Sequence, residues 1–342
     1  MTTLYLHIGT HRTATTSIQA FMLSNWEALL ARGIFHPLRI ARHFALFNAI
    51  FSGRRSVKEV AQDLILRAAK HGDAITSIVL SDEDVCMRRD LSVLAEFRDH
   101  FEVKVVFALR RQDLWLESWY LQNIKWQWNK ALSHLTLDDF MARSDEFHWA
   151  YYDRLLTQLE ALFGQENVLP YVFEKAQMPQ GPVAAFCDRI GLGDLTGLTP
   201  APHVNSSHSP GIAEFVRCLP LDEAPDKYRV RLEKAIKGVD QQLTAAAEAA
   251  GMAAGMAGTG DSQLLLGFQA RKAVLDAHAT GNANVARRYF GRDALFVEPL
   301  PDPDAALAQM ILPQDSATLM RDYVAPMIRG LIKQYIDTPT RN

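Results

Sequence analysis

The stretch that decides the fold is Leu4-Tyr5-Leu6-His7-Ile8-Gly9-Thr10-His11-Arg12-Thr13-Ala14-Thr15-Thr16-Ser17. Residues 3–8 read as a buried strand, short and largely apolar. From about Thr15 the period changes: Ile18, Phe21, Met22, Trp26, Leu29 and Leu30 recur on one helical face, and Gly33 stops the helix. Between strand and helix lies a loop of small and hydroxylated residues. Such a junction brings successive backbone N–H groups and a helix N-terminus to one point, where an anion is stabilised. Gly9 lets the chain leave the strand sharply, and residues 13–16 leave room for phosphate oxygens. The hydroxyls of Thr15, Thr16 and Ser17 are donors, and Arg12 is a permanent cation. Read alone, the same residues also allow a plain strand-to-helix turn with Thr15 or Ser17 as its cap.

Outward from this stretch, short apolar runs alternate with helical patterns, as in a parallel α/β sheet. Val57 to His71 is an amphipathic helix and Ile75 to Leu80 a second strand. Val103 to Leu109 is a third strand, apolar but for Lys104, as a centrally buried strand should be. A helix from Asp113 follows, then one over Tyr151–Phe163 and a strand over Asn167–Phe173. After about residue 200 the strand signals fade. Residues 210–240 read as helix, the Ala/Gly/Met segment 244–260 as low-complexity helix or mobile chain, and 282–289 as helix before a Pro/Asp turn at Pro299–Pro303. The expected fold is a three-layer α/β domain with a parallel central sheet, a P-loop-type phosphate-binding loop and helical C-terminal additions. It forms one domain over 1–342, with its core in about 1–200.

Composition excludes several classes. The net charge of −3 carries no global basic signature, so nucleic acid is not an expected partner and any anion must be caught locally. The three cysteines, Cys86, Cys187 and Cys218, lack metal-ligand spacing and are odd in number, so neither a disulfide framework nor a metal site is expected. The longest weakly polar stretch, Leu243 to Gly258, is short, rich in Ala and Gly and interrupted by Glu248, so no membrane span is expected. The cytoplasm is the expected compartment.

The loop departs from a Walker A sequence, in which a lysine directly precedes the helix-opening Ser or Thr. Here Thr15 occupies the lysine place and the cation stands three residues earlier, at Arg12. With that displacement, His7-Ile8-Gly9-Thr10-His11-Arg12-Thr13-Ala14-Thr15-Thr16-Ser17-Ile18-Gln19 resembles the 5′-phosphosulfate loop of bacterial sulfotransferases. Arg12 replaces the family's usual lysine and Ala14 its usual glycine, and Ala14 fits if the backbone there keeps φ negative. A second signature agrees. In Phe107-Ala108-Leu109-Arg110-Arg111-Gln112-Asp113-Leu114-Trp115-Leu116-Glu117-Ser118, an arginine ends a strand and a serine follows eight residues later. In the family both contact the donor's 3′-phosphate. Strand C-terminal ends are also where ligands sit in open α/β sheets, and an arginine fork suits phosphate. The stretches 167–174, 282–291 and 295–299 are similar to later parts of the family, with Arg287 or Arg288 within possible reach of the donor.

The resemblance implies sulfuryl transfer from 3′-phosphoadenosine 5′-phosphosulfate to a hydroxyl or amine of a small-molecule or glycan acceptor, without a metal. His11, Arg12, Thr13, Ala14, Thr15, Thr16 and Ser17 would hold the 5′ end of the donor, and Arg110 and Ser118 its 3′-phosphate. Arg12 would stabilise the leaving oxygen, and a base would take the acceptor proton. Glu83, after the second strand in Ser81-Asp82-Glu83-Asp84, is the first candidate, with His11 and His43 as alternatives. A solvated acidic turn or helix cap explains Glu83 equally well. His7 packs beside the first strand. Trp115, Trp119, Trp126 and Trp128 could stack on an acceptor such as a sugar ring, though at helical spacing Trp115 and Trp119 are more often core. Two other readings stay open: a P-loop kinase using ATP, with Asp82 ending a Walker B-like strand, and a non-catalytic nucleotide-binding protein.

Overall fold

The computed structural model describes residues 1–72, 74–201, 208–249 and 264–336. The chain forms two compact units. The first comprises the described residues of Met1–Gln112, Asp145–Val204 and Leu275–Pro299, and the second those of Asp113–Ser144, Asn205–Val274 and Leu300–Asn342.

The first unit is built on an all-parallel sheet of β1 (Thr3–His7), β2 (Ile34–Phe35), β3 (Ser77–Ser81), β4 (Glu102–Leu109) and β5 (Val168–Val172), in the order β2-β3-β1-β4-β5. β1 is central: Leu6 lies opposite Leu80 on one side and Val105 on the other. The order reverses about β1, so the C-terminal ends of β1, β3 and β4 frame the crevice where α/β sheets bind ligands. One face of the sheet packs Tyr5, Val79, Val106 and Tyr171 against Ile18, Phe21, Met22 and Phe186. These come from the helices Thr15–Ser24 and Pro182–Arg189. With its flanking helices this is the expected α/β fold.

Several elements differ from the sequence reading. The helix expected from Thr15 to Gly33 is split into Thr15–Ser24 and Trp26–Ala31. The cause is Asn25, whose amide nitrogen donates to the Phe21 carbonyl at 3.0 Å and the Thr199 carbonyl at 2.9 Å, while its oxygen accepts from the Thr199 N–H at 2.7 Å. A side chain that bonds backbone so well competes with the helix. β2 is too short for any periodicity to reveal it, and the helix Phe44–Phe51 is apolar around much of its circumference. The helix Val57–Ala69 begins on a full capping box, Ser56 with Glu59.

The second unit contains only helices and irregular chain among its described residues. The expected 210–240 helix is two, Pro210–Arg217 and Asp226–Ala249, separated by Pro220 and Pro225. The described part of the Ala/Gly-rich segment closes the second of these, and 250–260 lies outside the described residues. The helix Ala325–Ile336 crosses Asp226–Ala249 closely at Gly330, where an added Cβ would stand 3.2 Å from the Ala235 Cβ. Trp115 and Trp119 are buried and stacked, with ring centroids 5.8 Å apart, as expected of core residues. The expected 282–289 helix is the end of a longer one, Phe268–Phe290.

Candidate active site

The loop between β1 and the helix Thr15–Ser24 is held from both sides. The Gly9 carbonyl accepts from the Ala108 N–H of β4 at 2.8 Å, and Ile8 N–H donates to Val106 at 3.1 Å. Gly9 has φ +110°, and a Cβ there would lie 3.3 Å from both the Cβ and the carbonyl oxygen of Glu83. Glycine is therefore required twice over, by conformation and by the close approach of the loop to Glu83. Thr13 is fully buried and turns its hydroxyl inward, donating to the Thr10 carbonyl at 2.6 Å. What Thr13 can offer a ligand is backbone.

Ala14 overturns one expectation. Its φ is +60°, the left-handed region, and not the negative value that would suit alanine. Arg12 has φ +63°, so two left-handed residues flank Thr13. Reversals of this kind turn successive N–H groups toward one point, which is how backbone makes an anion nest. Ala14 is the N-cap of the following helix and makes no side-chain cap bond, so neither Thr15 nor Ser17 serves as the cap. Thr16 is exposed and Ser17 half-buried on the first turn, while Thr15 is buried. Burial pushes the Arg12 guanidinium below its ordinary value, a cation partly withdrawn from water.

Arg110, directly after β4, reaches this loop: its Nη1 donates to the Arg12 carbonyl at 2.5 Å. Tyr152 fixes the Arg110 backbone, accepting from its N–H at 3.1 Å and donating to its carbonyl. Its guanidinium lies 5.6 Å from the centroid of the Phe173 ring, beyond the end of β5. The neighbouring Arg111 is buried and donates to the carbonyls of Glu298 and Pro299 at 2.8 and 3.1 Å, a structural tie. Ser118 is buried on the helix Gln112–Trp126 and belongs to the second unit. Arg288 is committed elsewhere, to Asp153 at 2.9 Å and Glu160 at 2.8 Å, and Arg287 lies 3.7 Å from Asp293.

At the end of β3, Arg42 gathers three consecutive carboxylates. Its Nε is 2.6 Å from Asp82 and 3.5 Å from Glu83, and its Nη2 is 2.7 Å from Asp84. Glu83 also accepts from the Gln19 amide at 2.6 Å, and that amide approaches Ser81 Oγ at 3.2 Å. Asp84 faces His11 Nε2 at 2.7 Å. Burial pushes the Asp82 carboxyl up to about 6 against the opposing pull of Arg42. Burial would raise Asp84 too, but the hydrogen bond from His11 and the charges of His11 and Arg42 overcome it and bring it to about 2. Burial lowers Arg42 less than Glu83, Asp82 and Asp84 raise it, so its charge is held.

The histidines divide by their partners. His43 accepts from the Ser81 N–H on Nδ1 at 3.1 Å and so donates from Nε2 to the Pro37 carbonyl at 3.0 Å. Both nitrogens are spent on backbone, and burial pushes its pKa to about 3. It offers no lone pair to an acceptor and is set aside as a base. His7 is likewise pushed to about 3 by burial, with Nδ1 at 2.8 Å from Ser81 Oγ and its ring against Phe186. Burial also raises the Cys86 thiol, which makes it a poor nucleophile. Glu83 and His11 remain beside the loop as proton acceptors.

Sequence reasoning missed Arg42 and Tyr152. Arg42 lies in an aperiodic segment, and nothing in its neighbours marks it. Gln19 sits inside the loop's own motif and Asp84 beside Glu83, so both were within reach. Among the described residues no group of three or more His, Cys, Asp or Glu side chains is placed to hold a metal ion, and no helix is long and apolar enough to cross a membrane.

No family model and no curated protein matches the chain. Among solved structures it is similar to the crystal structure of a sulfotransferase from Alicyclobacillus acidocaldarius, with 16% identity and a TM-score of 0.40 over 59% of this chain and 85% of that one.

Proposed function

We propose that the chain transfers a sulfuryl group from 3′-phosphoadenosine 5′-phosphosulfate to a hydroxyl or amine of a small-molecule or glycan acceptor. The observation that carries this reading is the bond from Arg110 to the Arg12 carbonyl, which joins the residue expected at a 3′-phosphate to the loop expected at the 5′ end. A mononucleotide bearing phosphate on both ends of its ribose needs two such anchors. ATP, with a single polyphosphate chain, needs one.

The residues fit such a donor. The left-handed turns at Arg12 and Ala14, the uncapped first turn and the hydroxyls of Thr16 and Ser17 supply donors to the 5′ group. Arg110 adds a fork for the 3′-phosphate, with Ser118 assigned to the same phosphate from the sequence pattern. The donor supplies the activated sulfuryl group. Arg12 stabilises charge that develops on the leaving phosphate, a role that its partial desolvation supports. Glu83 takes the acceptor proton, oriented by Gln19 and Arg42. His11, steered by Asp84, is the second candidate for that step.

The kinase reading assigns magnesium to Asp82. That carboxylate is 2% exposed and already paired with Arg42, which disfavours it as a metal ligand. Thermal unfolding with 3′,5′-ADP and with ATP–Mg2+ tests the choice. The sulfotransferase reading expects the larger rise in Tm from 3′,5′-ADP. A larger rise with ATP–Mg2+ restores the kinase, and transfer of radiolabelled sulfate across an acceptor library separates an enzyme from a nucleotide-binding protein.

A further inference from the structure

The first unit holds a cavity of about 460 Å³ lined by Arg89, Asp145, His148, Tyr151, Arg154 and Gln158, among others. That volume lies within the roughly 300–1,000 Å³ of small-molecule sites. Its charge balance is unusual. Among the described residues neither Arg89 nor Arg154 has a carboxylate within ion-pair distance. The Arg154 guanidinium rests 5.0 Å from the centroid of the Tyr151 ring. Asp145, the one carboxylate in the wall, is occupied by the Tyr151 hydroxyl, which donates to it at 2.6 Å. Gln158 donates to the Arg89 carbonyl at 3.0 Å and ties the two sides of the cavity together. His148 carries a buried Nε2 without a hydrogen-bond partner in the protein.

Two walls of the cavity are tied through the chain to the proposed transfer site. Arg89 closes the segment that opens with the short helical turn Glu83–Met87, and that turn packs on His148–Ala150. Tyr151 is the neighbour of Tyr152, whose hydroxyl bonds the Arg110 backbone at both ends.

We propose that this cavity binds the acid group of a hydroxyl-rich, sugar-sized acceptor, with its carboxylate or sulfate ester between Arg89 and Arg154. Guanidinium forks match either oxyanion. The Tyr151 ring, against which His278 packs at 4.6 Å, holds the Arg154 guanidinium in place, and the Gln158 and His148 polar atoms suit hydroxyl groups better than an apolar ligand. Only the word acceptor rests on the sulfotransferase reading; the binding site itself stands without it.

Calorimetric titrations with glucuronate, glucose 6-sulfate and glucose, each with and without saturating 3′,5′-ADP, test the proposal. At least one acidic sugar should bind about tenfold more tightly than glucose. The better of the two identifies the preferred oxyanion. Arg89→Gln and Arg154→Gln should each weaken that ligand by about fivefold or more, leave glucose unaffected and keep the wild-type Tm, since both side chains are exposed. Saturating 3′,5′-ADP should leave the preference in place, because the nucleotide occupies the loop. Equal or absent binding of all three sugars, or variants that bind acidic sugars as wild type does, would overturn the proposal. Acid-sugar binding by a protein that ignores 3′,5′-ADP would keep the cavity and reject the sulfotransferase reading.

Discussion

Two arginines, one in each unit, hold several carboxylates and do different work. Arg271 in the second unit is fully buried, pairs with Asp113 at 2.8 Å and with Glu117, and donates from Nε to the Leu266 carbonyl at 2.9 Å. Glu117 is filled further by the N–H groups of Leu265 and Leu266, both at 2.6 Å. Arg271 and Asp113 are fully buried in that cluster and Glu117 nearly so. Arg42 in the first unit is 26% exposed along its side chain, and the Asp84 it holds is 31% exposed. Its carboxylates lie beside the loop proposed to receive the donor. A closed cluster of this kind fixes an element, whereas an open one next to a cleft keeps charge available for chemistry. On the proposed function, the same pairing of residue types serves stability in one place and reactivity in the other.

The largest expected effect falls on turnover. Glu83→Gln keeps an oxygen for Gln19 but cannot take a proton, so single-turnover sulfuryl transfer should fall about 10²–10⁴-fold while 3′,5′-ADP still binds. A variant as fast as wild type moves the base to His11. Next comes stability. Arg271→Ala leaves two buried carboxylates without their cation and should cost about 3–5 kcal/mol in chemical denaturation. Arg42→Ala should cost less, because Arg42 and its partner Asp84 are partly open to solvent, although Asp82 and Glu83 are buried. Equal losses for the two variants would erase the contrast between closed and open clusters.

Acid should reveal the buried imidazoles of the first unit. His7 and His43 sit near 3 in the folded protein against an ordinary value of 6.5, so the unfolded chain takes up their protons first. Their stabilising contribution is present above about pH 6.5 and is lost as pH falls. Asp82, raised to about 6, works the other way, since it favours the folded state more as it protonates. The balance predicts a loss of about 2 kcal/mol between about pH 7.5 and 5.5. A denaturation midpoint that stays constant over this range would place the imidazoles in water.

The smallest effect is local. Ala14→Gly removes a left-handed alanine, which costs about 1–2 kcal/mol, but frees the unfolded chain by about 0.4–1 kcal/mol. The net should be a gain of about 0.5–1 kcal/mol in stability with donor binding retained. A loss would mean that the alanine methyl is needed.

These residues also mark what was legible in the sequence. β1, β3 and β4 announced themselves because central parallel strands are nearly continuous apolar runs, and the edge strand β5 did so through a short apolar run that includes Pro170. The loop between β1 and the following helix was legible because a change of period brackets it, and because small residues and hydroxyls leave a pattern even without the Walker lysine. β2 was invisible at two residues, and Asn25 broke a helix through a bond to Thr199 that no local window contains. Glu83 was reachable because it follows a strand. Arg42 was not, since its partners lie about forty positions away and the fold alone brings them together. The sign of φ at Ala14 was misjudged for a related reason. The residue type argued for negative φ, but the chain must reverse to bring β1 into the helix, and the loop's packing on Glu83 and Ala108 sets the path.

The central claim is that the site reads phosphate at both ends of a nucleoside, and Arg110 tests it most directly. Calorimetric titration of 3′,5′-ADP and 5′-AMP into wild type and Arg110→Ala measures the worth of the 3′-phosphate. Charge-assisted bonds to that group are each worth roughly 1.5–3 kcal/mol, so wild type should prefer 3′,5′-ADP by at least about tenfold. Arg110→Ala should lose most of that preference and bind 5′-AMP nearly as before, within the modest loosening expected when the Arg12 carbonyl loses its donor. Equal affinity of wild type for the two nucleotides would contradict the account.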